Sequence, residues 1–399
     1  MDLKDDSRFA RRDVRIAAMA GPPGTTLALD TDGLEAVITA VRERGYTVIA
    51  PTVREGAISY EPVTSASQLP RGVGDEQAPA RYRLRERDDA AVFGFATAPS
   101  SWKRYLYPPA TTLWRARRDE RGTVAFEETA APVPRYAFLG VRACELAAIL
   151  VHDRVFRGAA HPDPTYAARR RELFIIAVHC GSPSGVCFCT SMDTGPRARE
   201  GFDLAITELL DANTPRYVIE AGSAAGQELL DTLTAQPATA QDLDAAQAVT
   251  DASAQQMGRQ METRGLPEML QRNLEHPRWD DVAARCLSCG NCTMACPTCF
   301  CSDDVEAQAP DGDSSSRVRE WASCFSHDFS YIHGGTVRQT VRSRYRQWMT
   351  HKLGTWWEQF GTSGCVGCGR CIAWCPVGID ITEEAAAIRA TDGLRGRSK

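Results

Sequence analysis

The sequence has little lysine, no cysteine before position 144 and no long apolar run. Only four of its 46 basic residues are lysines, and the formal net charge is −5 over 399 residues. Because this balance is slightly acidic, composition gives no general attraction to nucleic acid or anionic lipid. The longest apolar stretch, residues 173–178, has about six residues, whereas a membrane-spanning helix needs roughly 20. We therefore expect neither a nucleic-acid partner nor a membrane span.

Several familiar motifs are also missing. The sequence has no GxxxxGK[ST] run and no GxGxxG run after a strand, which are the usual signs of a phosphate-binding loop. The first 24 residues contain acidic side chains and a Gly-Pro-Pro-Gly break, so they lack the apolar core of a secretory signal. We expect a cytoplasmic protein. In a reducing compartment its 15 cysteines are better explained as metal ligands than as disulfides.

The cysteines divide the chain into two regions. Four lie between Cys144 and Cys189, the next 96 positions have none, and eleven lie between Cys286 and Cys375. The intervening segment is rich in Ala, Gln and Asp and has weak helical periodicity. We predict an N-terminal domain over residues 1–234, a polar and partly helical connector over 235–280, and a cysteine-rich domain over 281–399.

The N-terminal region alternates strand-like and helix-like segments. β-prone runs cover residues 46–50, 91–95, 136–140 and 173–178, and apolar residues recur at helical spacing over 31–44 and 144–155. This alternation predicts an α+β fold for the N-terminal domain, with a mixed α/β arrangement as the alternative.

The C-terminal region has helical composition over residues 267–284 and over 318–360, where Gly334-Gly335 breaks the second stretch. The second stretch carries basic and aromatic residues: Arg338, Arg342, Arg344, Arg346, Tyr345, Trp348, Trp356 and Trp357. We favour a helix that packs its aromatic side chains against a metal domain. A nucleic-acid contact is the alternative, but no recognised binding module surrounds these residues.

Two cysteine motifs carry the strongest signal. The first motif is Cys286-Leu-Ser-Cys-Gly-Asn-Cys-Thr-Met-Ala-Cys-Pro297, and the second is Cys365-Val-Gly-Cys-Gly-Arg-Cys-Ile-Ala-Trp-Cys-Pro376. Both follow the C-x2-C-x2-C-x3-C-P pattern that two-cluster bacterial ferredoxins use to bind [4Fe-4S] clusters. Two zinc sites are the alternative for eight cysteines, but zinc modules usually pair two C-x2-C knuckles and have no use for the additional cysteines.

The spacing of these motifs matches the needs of a cubane cluster. Three cysteines spaced by two residues let one tight loop hold three iron corners, and Gly290, Gly367 and Gly369 allow the backbone to wrap. The fourth cysteine leaves on the next element and serves the other cluster. The expected ligands are Cys286, Cys289, Cys292 and Cys375 for cluster 1, and Cys365, Cys368, Cys371 and Cys296 for cluster 2.

The long spacing between the motifs and several short segments resemble a known family. These segments are Cys296-Pro-Thr-Cys-Phe-Cys301, Trp321-Ala-Ser-Cys324, His351-Lys352, Gly140-Val-Arg-Ala-Cys144 and Cys187-Phe-Cys189. They are similar to the 4Fe-4S dicluster family that contains the beta subunit of cytoplasmic sulfhydrogenase (a NiFe hydrogenase) and the A-subunit of anaerobic sulfite reductase. The resemblance implies that residues 281–399 form an alpha-helical ferredoxin domain with two [4Fe-4S] clusters.

The same resemblance implies a function. The chain is expected to be an iron–sulfur electron-transfer subunit of a soluble oxidoreductase complex rather than its catalytic subunit. It would relay single electrons between a flavoprotein NAD(P)H-oxidoreductase subunit and a NiFe hydrogenase. The A-subunit of anaerobic sulfite reductase, working with the other sulfite reductase subunits, is the alternative, and a stand-alone iron–sulfur enzyme is a further one.

The four N-terminal cysteines, Cys144, Cys180, Cys187 and Cys189, are the right number for a third iron–sulfur cluster. Cys144 and Cys180 each follow a strand-like run, so both are expected at the same edge of a sheet. A zinc site and reduced thiols without metal are the alternatives. Iron content separates them, since about twelve irons per chain indicate three cubanes and about eight indicate two.

Cys299, Cys301 and Cys324 remain unassigned by the motifs. We favour packing as small buried hydrophobic residues, and the alternative is that Cys299 competes with Cys296 for an iron corner. His179, next to Cys180, is interpreted as a strand-end residue rather than a ligand. Lys103 is interpreted as half of a surface salt bridge.

Overall fold

A computed structural model describes residues 25–128, 132–158, 160–211, 214–310 and 312–392. The predictions made for the first 24 residues lie outside this part of the chain. The described helices are α1 (Thr31–Glu43), α2 (Lys103–Leu106), α3 (Ala143–Phe156), α4 (Pro164–Arg171), α5 (Ala224–Leu230), α6 (Ala240–Gln255), α7 (Leu266–Arg272), α8 (Arg278–Arg285), α9 (Asn291–Met294), α10 (Val341–Thr350), α11 (Trp356–Phe360), α12 (Arg370–Ala373) and α13 (Ile381–Ala390).

The described strands are β1 (Thr26–Leu29), β2 (Thr47–Arg54), β3 (Ala57–Pro62), β4 (Val73–Ala78), β5 (Arg81–Glu86), β6 (Ala110–Arg118), β7 (Val124–Glu128), β8 (Tyr136–Arg142), β9 (Phe174–Val178), β10 (Leu204–Asp211), β11 (Thr214–Ala221), β12 (Gln236–Pro237), β13 (Ser302–Gln308), β14 (Ser314–Trp321), β15 (Tyr331–Ile332) and β16 (Gly335–Thr336). Among these described residues no helix is long and apolar enough to cross a membrane.

A mixed sheet organises the N-terminal region. Within the described residues it has eight strands, in the order β12-β1-β11-β10-β9-β8-β2-β3. The central strands β2, β8, β9 and β10 pair in parallel, and the flanking strands pair antiparallel. Parallel neighbours end at the same edge of a sheet, where α/β proteins commonly bind ligands. The chain therefore leaves β8 and β9 at one place.

Apolar side chains cover both faces of this sheet. On one face α1 buries Leu34, Val37 and Ile38, and the Asp30 side chain caps the helix by accepting a hydrogen bond from the Gly33 amide at 2.9 Å. On the other face α3 packs its apolar residues against the opposite sides of β2, β8 and β9. The N-terminal region is thus a layered, mixed α/β structure.

Most of the predicted N-terminal segments are present. β2, β8 and β9 overlap three of the four β-prone runs, and α1 and α3 cover the two helical ones. The prediction of a strand at residues 91–95 is wrong, because that run forms bends. The amides of Val92 and Phe93 donate to the Glu208 carboxylate at 2.7 and 3.0 Å, so a side chain satisfies groups that a strand would pair with another backbone.

The helical expectation for the C-terminal region is correct in part. Residues 267–284 form two helices, α7 and α8. The first residues of the 318–360 stretch are not helical, since they belong to β14, which forms a hairpin with β13 that joins β6 and β7 in a four-stranded sheet. The partner strands lie about 200 residues away (e.g. Arg317 opposite Trp114), so local composition gave no sign of this pairing. The predicted domain division stays a prediction.

The aromatic residues of α10 point into the protein. Tyr345 and Trp348 are buried, while Arg342 and Arg346 form ion pairs with Glu275 at 2.9 and 2.7 Å. A π-helical segment, His351–Thr355, continues α10 into α11. This is the packing arrangement expected for the aromatic residues of this stretch, and it gives the cysteine-rich region an apolar core.

Candidate iron–sulfur centres

The loops of the two cysteine motifs have the same backbone conformation. Ser288 and Gly290 of the first motif have φ values of 52° and 77°, and Gly367 and Gly369 of the second have 67° and 74°. In each loop the second of these residues precedes a one-turn helix, α9 or α12. A left-handed residue on each side of the second cysteine curls the loop around a point. The matching φ values agree with one shared ligand type for both motifs.

The four cysteines predicted for cluster 1 line one cavity. They are Cys286, Cys289, Cys292 and Cys375, and Cys371 also reaches its wall. The Ser288 amide donates to the Cys286 Sγ at 3.4 Å, and the Ile379 amide donates to the Cys375 Sγ at 3.3 Å. Backbone amides aimed at sulfur offset negative charge on a thiolate cluster. The residues around this cavity therefore fit a cubane cluster.

Apolar side chains close the same cavity on the protein side. Phe325, Tyr345, Trp348, Ile379 and Ile381 form this wall. On the outer side, Cys289 is exposed and the neighbouring Leu287 has 63% of its surface accessible. One side of the candidate cluster 1 site is dry and the other lies at the protein surface.

The four cysteines predicted for cluster 2 are also neighbours. The thiols of Cys365, Cys368 and Cys371 interact electrostatically with one another and with Cys296. The Gly367 amide donates to the Cys365 Sγ at 3.5 Å. Cys296, Cys365 and Cys368 are all buried. This second set lies in the interior, in contrast with the first.

Lys352 makes a contact that the motif spacing did not reveal. Its Nζ donates to the Cys296 Sγ at 3.3 Å, to the Thr298 Oγ1 at 3.2 Å and to the Gly364 carbonyl at 3.2 Å. Burial alone lowers the pKa of Lys352, but the neighbouring Cys296 and Cys299 thiolates raise that pKa well above its usual value. A positive charge is therefore held against the predicted cluster 2 ligands. The only signal in the sequence was the pair His351-Lys352, as part of the family resemblance.

Burial affects the ionisation of most of these thiols. It raises the pKa values of Cys292 and Cys371 well above the ordinary thiol value, and it raises that of Cys365 to about 12 against the opposing effect of Lys352. Cys296 behaves differently, because a hydrogen bond from Cys299 and the Lys352 ammonium hold its pKa well below the usual range. Metal binding to the buried thiols therefore has to release protons.

The four N-terminal cysteines line a cavity of their own. Cys144, Cys180, Cys187 and Cys189 all reach it, together with Arg142. Cys144 lies in the first turn of α3 directly after β8, and Cys180 lies two residues after β9. β8 and β9 are parallel neighbours in which Arg142 stands opposite Val178. The sheet thus brings these cysteines to one edge, as the sequence predicts, although their role as ligands stays a prediction.

Arg142 places a buried guanidinium at this N-terminal group. It donates to the carbonyl oxygens of Phe93 and Phe95, both at 2.7 Å, and to those of Ala96 and His179. Burial raises the pKa of Cys144 well above its usual value and that of Cys187 to about 12. A positive side chain and four thiols in one cavity fit a metal-thiolate centre, whose charge is negative.

His179 does not reach the thiols as a ligand. Its Nε2 lies 3.1 Å from the Glu220 Oε1, and its Nδ1 accepts a hydrogen bond from the Ala198 amide at 3.1 Å. Both ring nitrogens are therefore engaged, which agrees with its interpretation as a strand-end residue. Among the side chains that the structure describes, no group of three or more His, Cys, Asp or Glu is arranged to hold a single metal ion.

The N-terminal cysteine group and the second motif are in direct contact. The Phe188 amide donates to the Gly367 carbonyl at 2.9 Å, and the Thr194 hydroxyl donates to the Val366 carbonyl at 2.7 Å. A Cβ atom on Gly367 would lie 2.6 Å from the Cys189 amide nitrogen. The Cys368 thiol also interacts electrostatically with Cys144, Cys187 and Cys189. Only glycine permits so close an approach of the two loops.

A buried ion pair fixes the same contact. Arg370 of the second motif pairs with Glu145 of α3, and both side chains are almost completely buried. Glu145 also accepts hydrogen bonds from the Tyr60 hydroxyl at 2.9 Å and the Trp102 indole at 3.1 Å. The Arg370 Nε donates to the Ala98 carbonyl at 2.8 Å. The second motif is therefore anchored to the N-terminal sheet.

The interpretation of Lys103 as a surface residue is wrong. Its side chain is buried, and its Nζ donates to the Cys299 carbonyl at 3.0 Å and lies 3.8 Å from the centre of the Trp321 ring. Trp321 of β14 covers the Lys103 side chain. The pairing of β14 with β6 brings these residues together, and the sequence near Lys103 gave no sign of it. Cys299, Cys301 and Cys324 lie at the same place and are partly buried.

Comparison with known proteins agrees with this geometry. Residues 285–379 match the family model of the 4Fe-4S dicluster domain. The chain is 29% identical over 297 residues to sulfhydrogenase 2 subunit beta from Pyrococcus furiosus, which covers 72% of this chain and 82% of that protein. No solved structure matches the chain significantly. The resemblance predicted from the sequence is confirmed: residues 285–379 match a 4Fe-4S dicluster domain, and the chain is similar over most of its length to a sulfhydrogenase beta subunit.

Proposed function

We propose that this chain relays single electrons between an NAD(P)H-linked flavoprotein subunit and a NiFe hydrogenase, as the beta-type subunit of a sulfhydrogenase-like complex. Its similarity to a sulfhydrogenase beta subunit supports this role. The observation that carries the proposal is the continuous series formed by the three cysteine groups, from the edge of the N-terminal sheet to the surface near Cys289.

Each step in the series joins cysteines whose thiols interact electrostatically. Cys368 of the second motif interacts with the N-terminal cysteines, and Cys371 interacts with Cys292 of the first motif. Bound [4Fe-4S] clusters would supply one-electron transfer at these positions. Because each candidate set has four thiols, the cysteines would occupy every iron corner and leave no position for substrate. This arrangement supports a conduit rather than a catalytic centre.

The protein residues around the series would exclude water and balance charge. Phe188, Trp348 and Tyr345 belong to the apolar core that surrounds the two motifs. Arg142 and Lys352 place positive charge at the N-terminal group and at Cys296. Low solvent exposure and nearby charge are the means by which a protein sets cluster potentials.

The exposed side of the first motif supports the contact with a partner. Leu287 is 63% exposed beside Cys289, and Val377 and Met294 are also exposed apolar residues. Apolar side chains grouped at a surface commonly mark a protein interface. A partner seated here would reach the part of the series that lies nearest to solvent.

The test is isolation of the native complex. An affinity-tagged full-length chain, expressed in its own host and purified without oxygen, is expected to retain a flavoprotein and a NiFe hydrogenase large subunit. Leu287→Asp should weaken this retention without changing the iron content, whereas Val53→Asp, on an exposed position of β2, should not. Recovery of a sirohaem protein in their place would support the sulfite reductase alternative and contradict the proposal.

A further inference from the structure

We propose that Cys299, Cys301 and Cys324 form an additional iron–sulfur site, held by three cysteine thiolates and lying beside the predicted cluster 2. These cysteines belong neither to the two motifs nor to the N-terminal group. The site does not depend on which complex the chain joins, so it stands apart from the proposed function.

The hairpin β13–β14 brings two of the three cysteines together. Ser302 is paired with Trp321 at the base of the hairpin, and the Ala322 amide donates to the Cys301 carbonyl at 2.9 Å. Cys301 and Cys324 therefore flank the last paired residues, and their thiols interact electrostatically. Residues 23 positions apart in the chain meet because of the strand register.

Cys299 completes the group. Its thiol interacts electrostatically with those of Cys296 and Cys301. Cys301 thus interacts with both of the other thiols, and the group lies next to a ligand predicted for cluster 2. Packing as small buried hydrophobic residues is the alternative for these three cysteines.

Two buried lysines provide an independent indication of negative charge. Lys103 and Lys352 are each 4% exposed, and they are two of only four lysines in the chain. Lys103 donates to the Cys299 carbonyl, and Lys352 donates to Cys296, Thr298 and Gly364. Within the described residues neither lysine has an ion pair with a carboxylate. Buried ammonium groups are costly unless a negative charge lies nearby, and a thiolate-bound cluster would provide it.

The local sequence repeats that of the N-terminal group. Cys299-Phe-Cys301 has the same form as Cys187-Phe-Cys189. In both places the phenylalanine packs inward: Phe188 is fully buried, and the Phe300 ring lies 5.6 Å from that of Trp356. The chain thus presents two Cys-Phe-Cys segments, each beside further cysteines.

Three cysteine ligands give this site a different chemistry from the four-cysteine sets. One iron of a cubane would have no protein thiolate and would be open to a small exogenous ligand. The partial exposure of Cys299, Cys301 and Cys324 gives such a ligand access. The four-cysteine sets have no corner of this kind.

Metal and sulfide analysis tests the proposal. The full-length chain and a Cys299→Ser/Cys301→Ser/Cys324→Ser variant are reconstituted without oxygen, and iron, zinc and acid-labile sulfide are measured per chain. The variant is expected to lose about four irons and about four sulfides. Ser302→Ala, which changes the residue next to Cys301 and leaves all thiols, should lose neither. Unchanged iron and sulfide, or loss of zinc in place of iron, would overturn the proposal.

A second measurement uses the unmodified protein, in case the triple variant does not fold. The iron-loaded chain is treated with iodoacetamide without oxygen, before and after a chelator and oxidant remove the metal and a thiol reductant restores the free cysteines, and the peptides are analysed by mass spectrometry. Cys301 and Cys324 are partly exposed and should react only after metal removal. Labelling of both in the fully loaded chain would overturn the site. Neither measurement involves a hydrogenase or flavoprotein, so the proposed function is tested separately.

Discussion

The two cysteine motifs share one spacing and one loop conformation, but they lie in different surroundings. The second cysteine of the first motif, Cys289, is exposed, whereas the equivalent Cys368 is buried. The residue after the motif glycine differs in the same way. Asn291 donates to the Trp374 carbonyl at 3.2 Å at the surface, and the equivalent Arg370 is buried in an ion pair with Glu145.

The difference shows that the positions shared by the two motifs and the positions that differ between them have separate roles. Cysteine and glycine spacing sets the shape of the loop, since the φ values agree within about 15° between the motifs. The residues between them set where the loop lies. In the second motif Gly367, Gly369 and Arg370 all contact the N-terminal region. In our proposal the second motif is therefore the interior link and the first motif is the exit.

The largest difference between the motifs is expected at Arg370. Arg370→Met should lower the free energy of unfolding by about 3–5 kcal/mol, because it leaves the Glu145 carboxylate buried without its partner. Asn291→Ala, at the equivalent position of the first motif, removes one surface hydrogen bond and should cost about 0.5–1.5 kcal/mol. Anaerobic denaturant unfolding measures both values. The double variant Glu145→Leu/Arg370→Met should recover part of the loss. Equal effects at Arg370 and Asn291 would contradict the contrast.

A smaller difference is expected at the motif glycines. Both Gly369 and Gly290 have positive φ, but a Cβ atom on Gly369 would overlap the Val186 carbonyl oxygen, and one on Gly290 would meet the Ser323 side chain at 2.9 Å. Gly369→Ala should therefore cost about 2–4 kcal/mol and Gly290→Ala about 1–2 kcal/mol. Gly122→Ala, at a positive φ with open space around it, measures the cost of the backbone conformation alone. The account is wrong if Gly290→Ala lowers the free energy of unfolding more than Gly369→Ala does.

The features of the two motifs and of the N-terminal sheet that depend on local spacing could be predicted from the sequence. The loops of both motifs, the strands β2, β8 and β9, and the arrival of Cys144 and Cys180 at one sheet edge follow from short-range patterns. A tight loop and a buried strand are determined by neighbouring residues, which is why the pattern of the sequence reveals them.

The parts that were missed depend on contacts between distant residues. The hairpin β13–β14 pairs with β6, and this pairing buries Lys103 among cysteines that come about 200 positions later. Its position in a helix-like stretch concealed the strand β14, because the intrinsic preference of a short segment is weaker than the effect of a partner strand. The Arg370–Glu145 pair, 225 positions apart in the chain, had no local signal for the same reason.

The third expected difference is in redox potential. Lys352 lies against the second set of cysteines through Cys296, and a nearby positive charge favours the added electron. Lys352→Met should lower the reduction potential of the centre held by Cys296 and leave that of the centre at the first motif nearly unchanged. An EPR-monitored redox titration measures both. Arg342→Met, which removes a surface charge paired with Glu275, is the control and should change neither potential. A potential that stays the same or rises in Lys352→Met would contradict this effect.

The central claim is that the motif cysteines hold iron–sulfur clusters close enough to exchange electrons. EPR spectroscopy of the reduced, anaerobically purified full-length chain, with iron and acid-labile sulfide measured on the same sample, tests it most directly. The account predicts equal amounts of iron and sulfide, together with spectra broadened by the interaction of neighbouring reduced centres. A colourless chain that contains zinc, lacks sulfide and gives no such spectrum would contradict it.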